Sequence, residues 1–420
     1  MIVYNALILN SFSGSGLERD RRLLCSLRSK RSLKLYVRIV FVITLSLGPV
    51  MFFRAHASSP VSTFLAGVNF PVSLSFAPDG RIFFTEKDTG SIRIIQSNGT
   101  LLATPFATVS NLFHVAEAGL LGIALDPAFA TNQYVYVYYT YRDSGFYTHG
   151  RIVRYTAAGN TGTAAFDLFD VVSSAPNTVY HNGGYIKFGP DGKLYAVVGE
   201  FHQDQQAQNP ASMTGKMLRM NSDGSVPSDN PFVGSLDYAL GIRNSFGFDF
   251  DLSNNRLVAT MAGLNSDDKI LIIVKGGNYG WPTCVGICHD SQFIDPVVDL
   301  NPVVTPTGIA TVAPDTYVFG EYNTHNLVEL QLSASGGFVG MSQIDHESGG
   351  IIAVEHGPNN KLYYTTPDTI YTYSLPVTGG SNVMDSWIIL FGVGVATVAA
   401  LVLVYVVFRY RSRSAVNANS

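Results

Sequence analysis

The chain has 420 residues, 46% of them hydrophobic and only 14% charged, which is enough apolar material for a large buried core. Its charge is uneven: residues 1–54 hold nine Lys/Arg against two Asp/Glu, while residues 58–408 hold 15 basic and 29 acidic side chains. So acidic a body argues against nucleic acid as a partner and suits a neutral substrate or bound cations.

Residues 1–57 read as a basic segment and signal peptide. Arg38 leads into the apolar run Ile39 to Val50, and Ala55-His56-Ala57 then offers small residues where a signal peptidase cuts. An uncleaved anchor extended to Phe53 is the alternative, although 12 apolar residues are few for a span.

The body, residues 58–375, repeats one pattern six times: a small or apolar lead, a turn of Pro, Asp, Asn or Gly, then a run of aromatic and branched residues. The turns fall at Pro78, Pro127, Pro190, Ser253, Pro314 and Pro358, separated by 49, 63, 63, 61 and 44 residues. Such a period accommodates one four-stranded sheet per unit. Alternation in RIFFTE and KLYAVV favours strands over helices. The expected fold is all-β, a six-bladed β-propeller with a C-terminal transmembrane helix. A propeller gathers loops from every blade at one mouth, so residues remote in sequence can share a site.

Within the loops, His181 precedes two glycines and a strand, and Glu200 ends the hairpin that follows. That spacing lets a carboxylate hold an imidazole in the tautomer a general base needs. Arg243 and Asn244 interrupt an apolar, glycine-rich stretch, and a buried Arg calls for an anionic or oxygen-rich partner. Asn265 to Pro282, NSDDKILIIVKGGNYGWP, joins an acidic turn, a strand and a glycine-aromatic turn. Beyond it, Cys284 and Cys288 read as a local disulfide in an exported chain, a metal site with His289 and Asp290 being the alternative. Asn98-Gly99-Thr100 is a glycosylation sequon.

Residues 376–386 form a short stalk. Trp387 to Phe408 then runs 22 residues without a charge, which at about 1.5 Å per residue crosses a hydrocarbon layer of about 30 Å. Arg409, Arg411 and Arg413 in the tail, residues 409–420, put that tail in the cytoplasm and the body outside, a single-pass arrangement in the cell membrane.

Five stretches in this order, GLLGIALDPAFATNQYVYVYYT from Gly119, HNGGYIKFGPDGKLYAVVGE from His181, GKMLRMNSDGSVPSDNPF from Gly215, GIRN from Gly241 and NSDDKILIIVKGGNYGWP from Asn265, resemble the motifs of the glucose/sorbosone dehydrogenase family. The resemblance covers roughly residues 61–375 and implies an aldose sugar dehydrogenase dependent on pyrroloquinoline quinone (PQQ). It casts His181 as the base that takes the proton of a sugar C1 hydroxyl while a hydride passes to the quinone, with Glu200 orienting that base. It places Glu117, Arg243, Asn244, Tyr279 and Trp281 beside PQQ, and makes the carbonyls of Gly263 and Leu264 ligands of Ca²⁺. The implied partners are a sugar or polyol and an electron acceptor near the membrane. This chain departs from the family in several places. Glu200 stands where aspartate is usual, Leu264 where proline is, Lys269 where a carboxylate is, and Phe246 where glutamine is. Gly350 and Ile352 stand where two arginines grip the cofactor carboxylates, and Tyr322 and Asn323 occupy the region of a further lysine. Two readings follow: a membrane-tethered dehydrogenase, or a non-catalytic propeller that binds a glycan or protein at its mouth.

Overall fold

The structure is a computed structural model that describes residues 59–376. The leader, the stalk beyond Pro376, Trp387 to Phe408 and the basic tail lie outside the described residues. Among those described, no helix is long and apolar enough to cross a membrane.

Each repeat folds as one antiparallel four-stranded sheet, and six sheets make a propeller. The blades span residues 71–108, 120–176, 183–240, 248–300, 306–346 and 354–374. Every landmark turn joins the first and second strands of its blade. In blade 3, for example, Pro190 lies between Gly183–Phe188 and Leu194–Val198. All six turns therefore lie on one face, and the loops entering the first strands form the opposite face, the mouth.

Blade 6 supplies only three strands in sequence. Its fourth, outermost strand is Val61–Ala66, which pairs antiparallel with Thr369–Ser374, Val61 opposite Tyr373. This pairing closes the ring.

The core lies between blades. Phe83 of blade 1 meets Phe129 of blade 2 edge-on at 5.8 Å, and Tyr195 of blade 3 meets Phe250 of blade 4 at 5.1 Å. Because both faces of each sheet are covered, the second strands Ile82–Glu86 and Leu194–Val198 are buried at every position. The alternation visible in sequence is thus only partial, as expected for doubly covered strands.

Candidate active site

His181 and Glu200 bracket the first hairpin of blade 3, so the fold brings their ends together at the mouth. Both Glu200 oxygens lie close to His181 Nδ1, at 2.6 and 2.9 Å. The extra methylene relative to aspartate is therefore no obstacle. Glu200 is fully buried and His181 nearly so. His181 adopts a left-handed backbone, φ +57°, a conformation that surrounding structure must hold for a non-glycine residue. Two contacts do so: its carbonyl accepts from Phe201 N–H at 3.0 Å, and its own N–H donates to Glu117 Oε2 at 2.8 Å. Gly199 is needed beside it, since a Cβ there would meet the His181 carbonyl oxygen at 2.1 Å.

Blade 4 supplies the rest. Asn244 Nδ2 donates to the same Glu117 oxygen at 2.9 Å, and its Oδ1 accepts from Gly183 N–H. The Arg243 carbonyl accepts from Glu200 N–H at 3.1 Å. Its guanidinium lies over the Trp281 ring at 5.2 Å and donates to the Ala262 carbonyl at 3.1 Å. Arg243 Nε and Trp281 Nε1 are buried without a hydrogen-bond partner among the described residues. Unpaired buried donors are uncommon, and two together mark a place that an acceptor would complete.

Burial dominates the electrostatics. It pushes the Glu200 carboxyl up to about 9, with Arg243 opposing, and lowers the His181 imidazole to about 4, with Arg243 adding to the effect. At neutral pH the pair therefore shares one proton between Nδ1 and the carboxyl. While the carboxyl holds it and donates to Nδ1, the ring hydrogen sits on Nε2 and that nitrogen cannot accept. Loss of the proton leaves Nδ1–H donating to a carboxylate and Nε2 free as a base.

Beside this pair, a cavity of about 370 Å³ takes wall residues from all six blades. Glu117, Tyr180 and Gly183 line the His181 side, and Thr305, Thr307, Tyr322 and Ile352 line the side of blades 5 and 6. Phe246 contributes an aromatic face and Lys87 the cation of the wall. A second cavity, of about 280 Å³, lies at the turn face between blades 3 and 4, but its cations Arg219, Arg256 and Lys275 are held in ion pairs with Asp191, Asp229 and Asp315.

Of the residues singled out in the sequence, His181, Glu200, Glu117, Arg243, Asn244 and Trp281 converge at the mouth. Gly263 and Leu264 follow directly on Ala262, whose carbonyl Arg243 holds. The Gly263 N–H donates to Asp268 Oδ1 at 2.6 Å, and the Leu264 side chain is exposed. Tyr279, expected beside the cofactor, is instead in the core between blades 3 and 4. Its hydroxyl donates to the Ile272 carbonyl at 2.8 Å and accepts from Val274 N–H at 2.7 Å, because the glycine turn folds the ring back under its own strand. Cys284 and Cys288 form a disulfide with Cα atoms 6.0 Å apart. Lys269 is buried in the ladder opposite Asp299.

Lys87, Thr305 and Thr307 escaped the sequence reading. A signal for Lys87 existed: it follows the second strand of blade 1 as Tyr322 follows that of blade 5 and Gly199-Glu200 follow that of blade 3. All three of these positions reach the mouth.

A radial six-bladed propeller with a buried His-carboxylate pair and unpaired donors at one mouth defines a scaffold suited to proton abstraction from a small molecule. The chain belongs to the Glucose / Sorbosone dehydrogenase family, whose profile matches residues 68–370. It is 34% identical over 277 residues to quinoprotein glucose dehydrogenase B of Acinetobacter calcoaceticus, covering 59% of this chain and 57% of that protein. It is 30% identical over 236 residues to aldose sugar dehydrogenase YliI of Escherichia coli, covering 54% of this chain and 63% of that protein. The chain thus spans less than two thirds of the length of these two relatives. The PQQ-bound aldose sugar dehydrogenase of Streptomyces coelicolor superposes with a TM-score of 0.67 at 31% identity, covering 74% of this chain and 97% of that one.

Proposed function

We propose that this protein is a PQQ-dependent dehydrogenase of an aldose or related polyol, exported and held at the cell membrane by the apolar segment Trp387 to Phe408. The observation that carries the reading is the buried His181–Glu200 pair set beside two unpaired donors, Arg243 Nε and Trp281 Nε1. Those donors fit the oxygens of a quinone. The opposite wall fits the carboxylates of PQQ poorly, because Thr305, Thr307, Tyr322 and Ile352 are neutral.

When bound, PQQ supplies the two-electron acceptor for a hydride leaving C1 of the sugar. His181 takes the C1 hydroxyl proton at Nε2, Glu200 fixes the ring through Nδ1, and the oxidised sugar leaves as a lactone. With a quinone bound, the unpaired Arg243 and Trp281 donors would stabilise the negative charge that develops on its oxygens, as preorganised donors do. The carbonyls of Gly263 and Leu264 would hold Ca²⁺ as a Lewis acid, hard oxygen ligands being what that ion takes.

The test is reconstitution of the full chain with PQQ and Ca²⁺, followed by addition of an aldose and an artificial electron acceptor. A shifted quinone absorbance that bleaches on adding sugar is expected. Absence of PQQ binding at high micromolar concentration would end the dehydrogenase reading. The neutral wall would then favour the second one, a propeller that binds a glycan or protein at its mouth.

A further inference from the structure

Lys87 is a buried cation that none of the chemistry above uses. It leaves the second strand of blade 1 and lies on the cavity wall, 4.9 Å from the centre of the Phe70 ring. Its ammonium donates to the Asp88 carboxylate, to the Ala116 carbonyl at 3.1 Å and to the Ala118 carbonyl at 3.5 Å. Three donors thus have three acceptors, and two of those acceptors are the carbonyls on either side of Glu117.

The loop is shaped to this side chain. Ala116 is left-handed, φ +56°, and Gly119 has φ +155°. A Cβ on Gly119 would lie 2.4 Å from Lys87 Cγ and 2.7 Å from the Lys87 carbonyl oxygen, so glycine is what lets the loop close over the lysine. The Leu120 N–H donates to the Lys87 carbonyl at 3.0 Å and the Gly119 N–H to Thr140 Oγ1 at 2.8 Å. The Glu117 side chain turns from this bracket toward the mouth, where its Oε2 receives both the His181 N–H and Asn244 Nδ2.

We infer that Lys87 is a positioning residue for the catalytic base: it pins the backbone on both sides of Glu117, and Glu117 transmits that constraint to the left-handed peptide of His181 and to Asn244. The path runs from blade 1 through blade 2 to blades 3 and 4. Its catalytic meaning rests on the dehydrogenase reading, but the mechanical linkage does not, so the two are separable by experiment.

The experiment is amide hydrogen exchange of the full chain without PQQ or sugar, comparing wild type with Lys87→Met, Lys87→Arg, Glu117→Ala and the Lys87→Met/Glu117→Ala double variant. Exchange at His181 should rise about tenfold or more in Lys87→Met and in Glu117→Ala, since freeing one end of a chain of bonds lowers the local opening energy. It should rise no further in the double variant, return toward wild type in Lys87→Arg, and leave Ile186 and Val197 in the blade strands unchanged. In protein reconstituted with PQQ, Lys87→Met should lower kcat about tenfold with PQQ affinity unchanged, misplacement of a reacting group being costly. Wild-type exchange at His181 in Lys87→Met would overturn the inference, as would additive effects in the double variant. A uniform rise over all blade strands would also overturn it, since that reports a purely structural role. A chain that oxidises no sugar yet shows the coupled exchange would sink the dehydrogenase reading and leave the linkage standing.

Discussion

The two sides of the mouth are built differently. Toward blades 3 and 4, His181, Glu200, Arg243 and Asn244 are buried and interlocked, and Glu117 holds the left-handed peptide of His181 together with Asn244. Toward blades 5 and 6, the wall is neutral: Thr307 is buried, Thr305 and Ile352 are half-buried, and Tyr322 is exposed. One side of the mouth thus holds its polar groups in a fixed network, and the other offers neutral side chains to the cavity.

The largest effect that would sharpen this contrast is on rate. His181→Ala should lower kcat by about 10²- to 10⁴-fold, the usual worth of general-base catalysis, while PQQ binding measured by absorbance titration stays near wild type. Comparable losses of both would mean that the two halves are not separate. Arg243→Ala should damage binding and turnover together, by about 10- to 100-fold each, a charged hydrogen bond being worth about 1.5–3 kcal/mol. Stopped-flow reduction of bound PQQ reads both quantities.

The pH profile tests the dyad itself. Because the base-competent form requires loss of the shared proton, and burial holds the Glu200 carboxyl up to about 9, kcat/KM should climb with pH toward that value, by about tenfold per unit well below it. A flat profile from pH 6 to 9 would contradict the protonation scheme.

The smallest expected effect lies on the neutral wall. Ile352→Arg should tighten PQQ by about tenfold, one charge-assisted contact being added to a wall facing the cofactor. Gly350→Arg should not: a Cβ there meets the Tyr322 ring at 2.5 Å and the Tyr322 carbonyl oxygen at 2.6 Å. That variant should melt earlier than wild type without binding better. The two arginine positions of the family pattern are therefore not equally restorable in this chain, a distinction that only the backbone reveals.

The sequence made the blades legible because each repeat carries its own turn chemistry, and all six turns stand where Pro78, Pro127, Pro190, Ser253, Pro314 and Pro358 mark them. The His181–Glu200 pair was legible for the same reason, as the two ends of one hairpin. Tyr279 was misplaced because three glycines give its turn more freedom than residue types can constrain, and packing against blade 3 decides where the ring goes. Lys87 and Thr305 were missed because their proximity to His181 is a property of ring closure. The strand end before Lys87 points it at the mouth, yet nothing local to EKDTG or VTPTG says which residues, a hundred positions away, it meets there.

Ring closure also fixes a direction. Ser374 pairs with Lys361, the Leu375 N–H reaches the Asn360 carbonyl, and the Pro60 carbonyl accepts from Ser374 N–H. The backbone thus arrives and departs side by side at the Pro358 turn, on the face opposite the cavity. The cavity and the two ends of the described chain therefore occupy opposite faces of the propeller, so a group attached at Pro60 or Pro376 starts from the face away from the cavity.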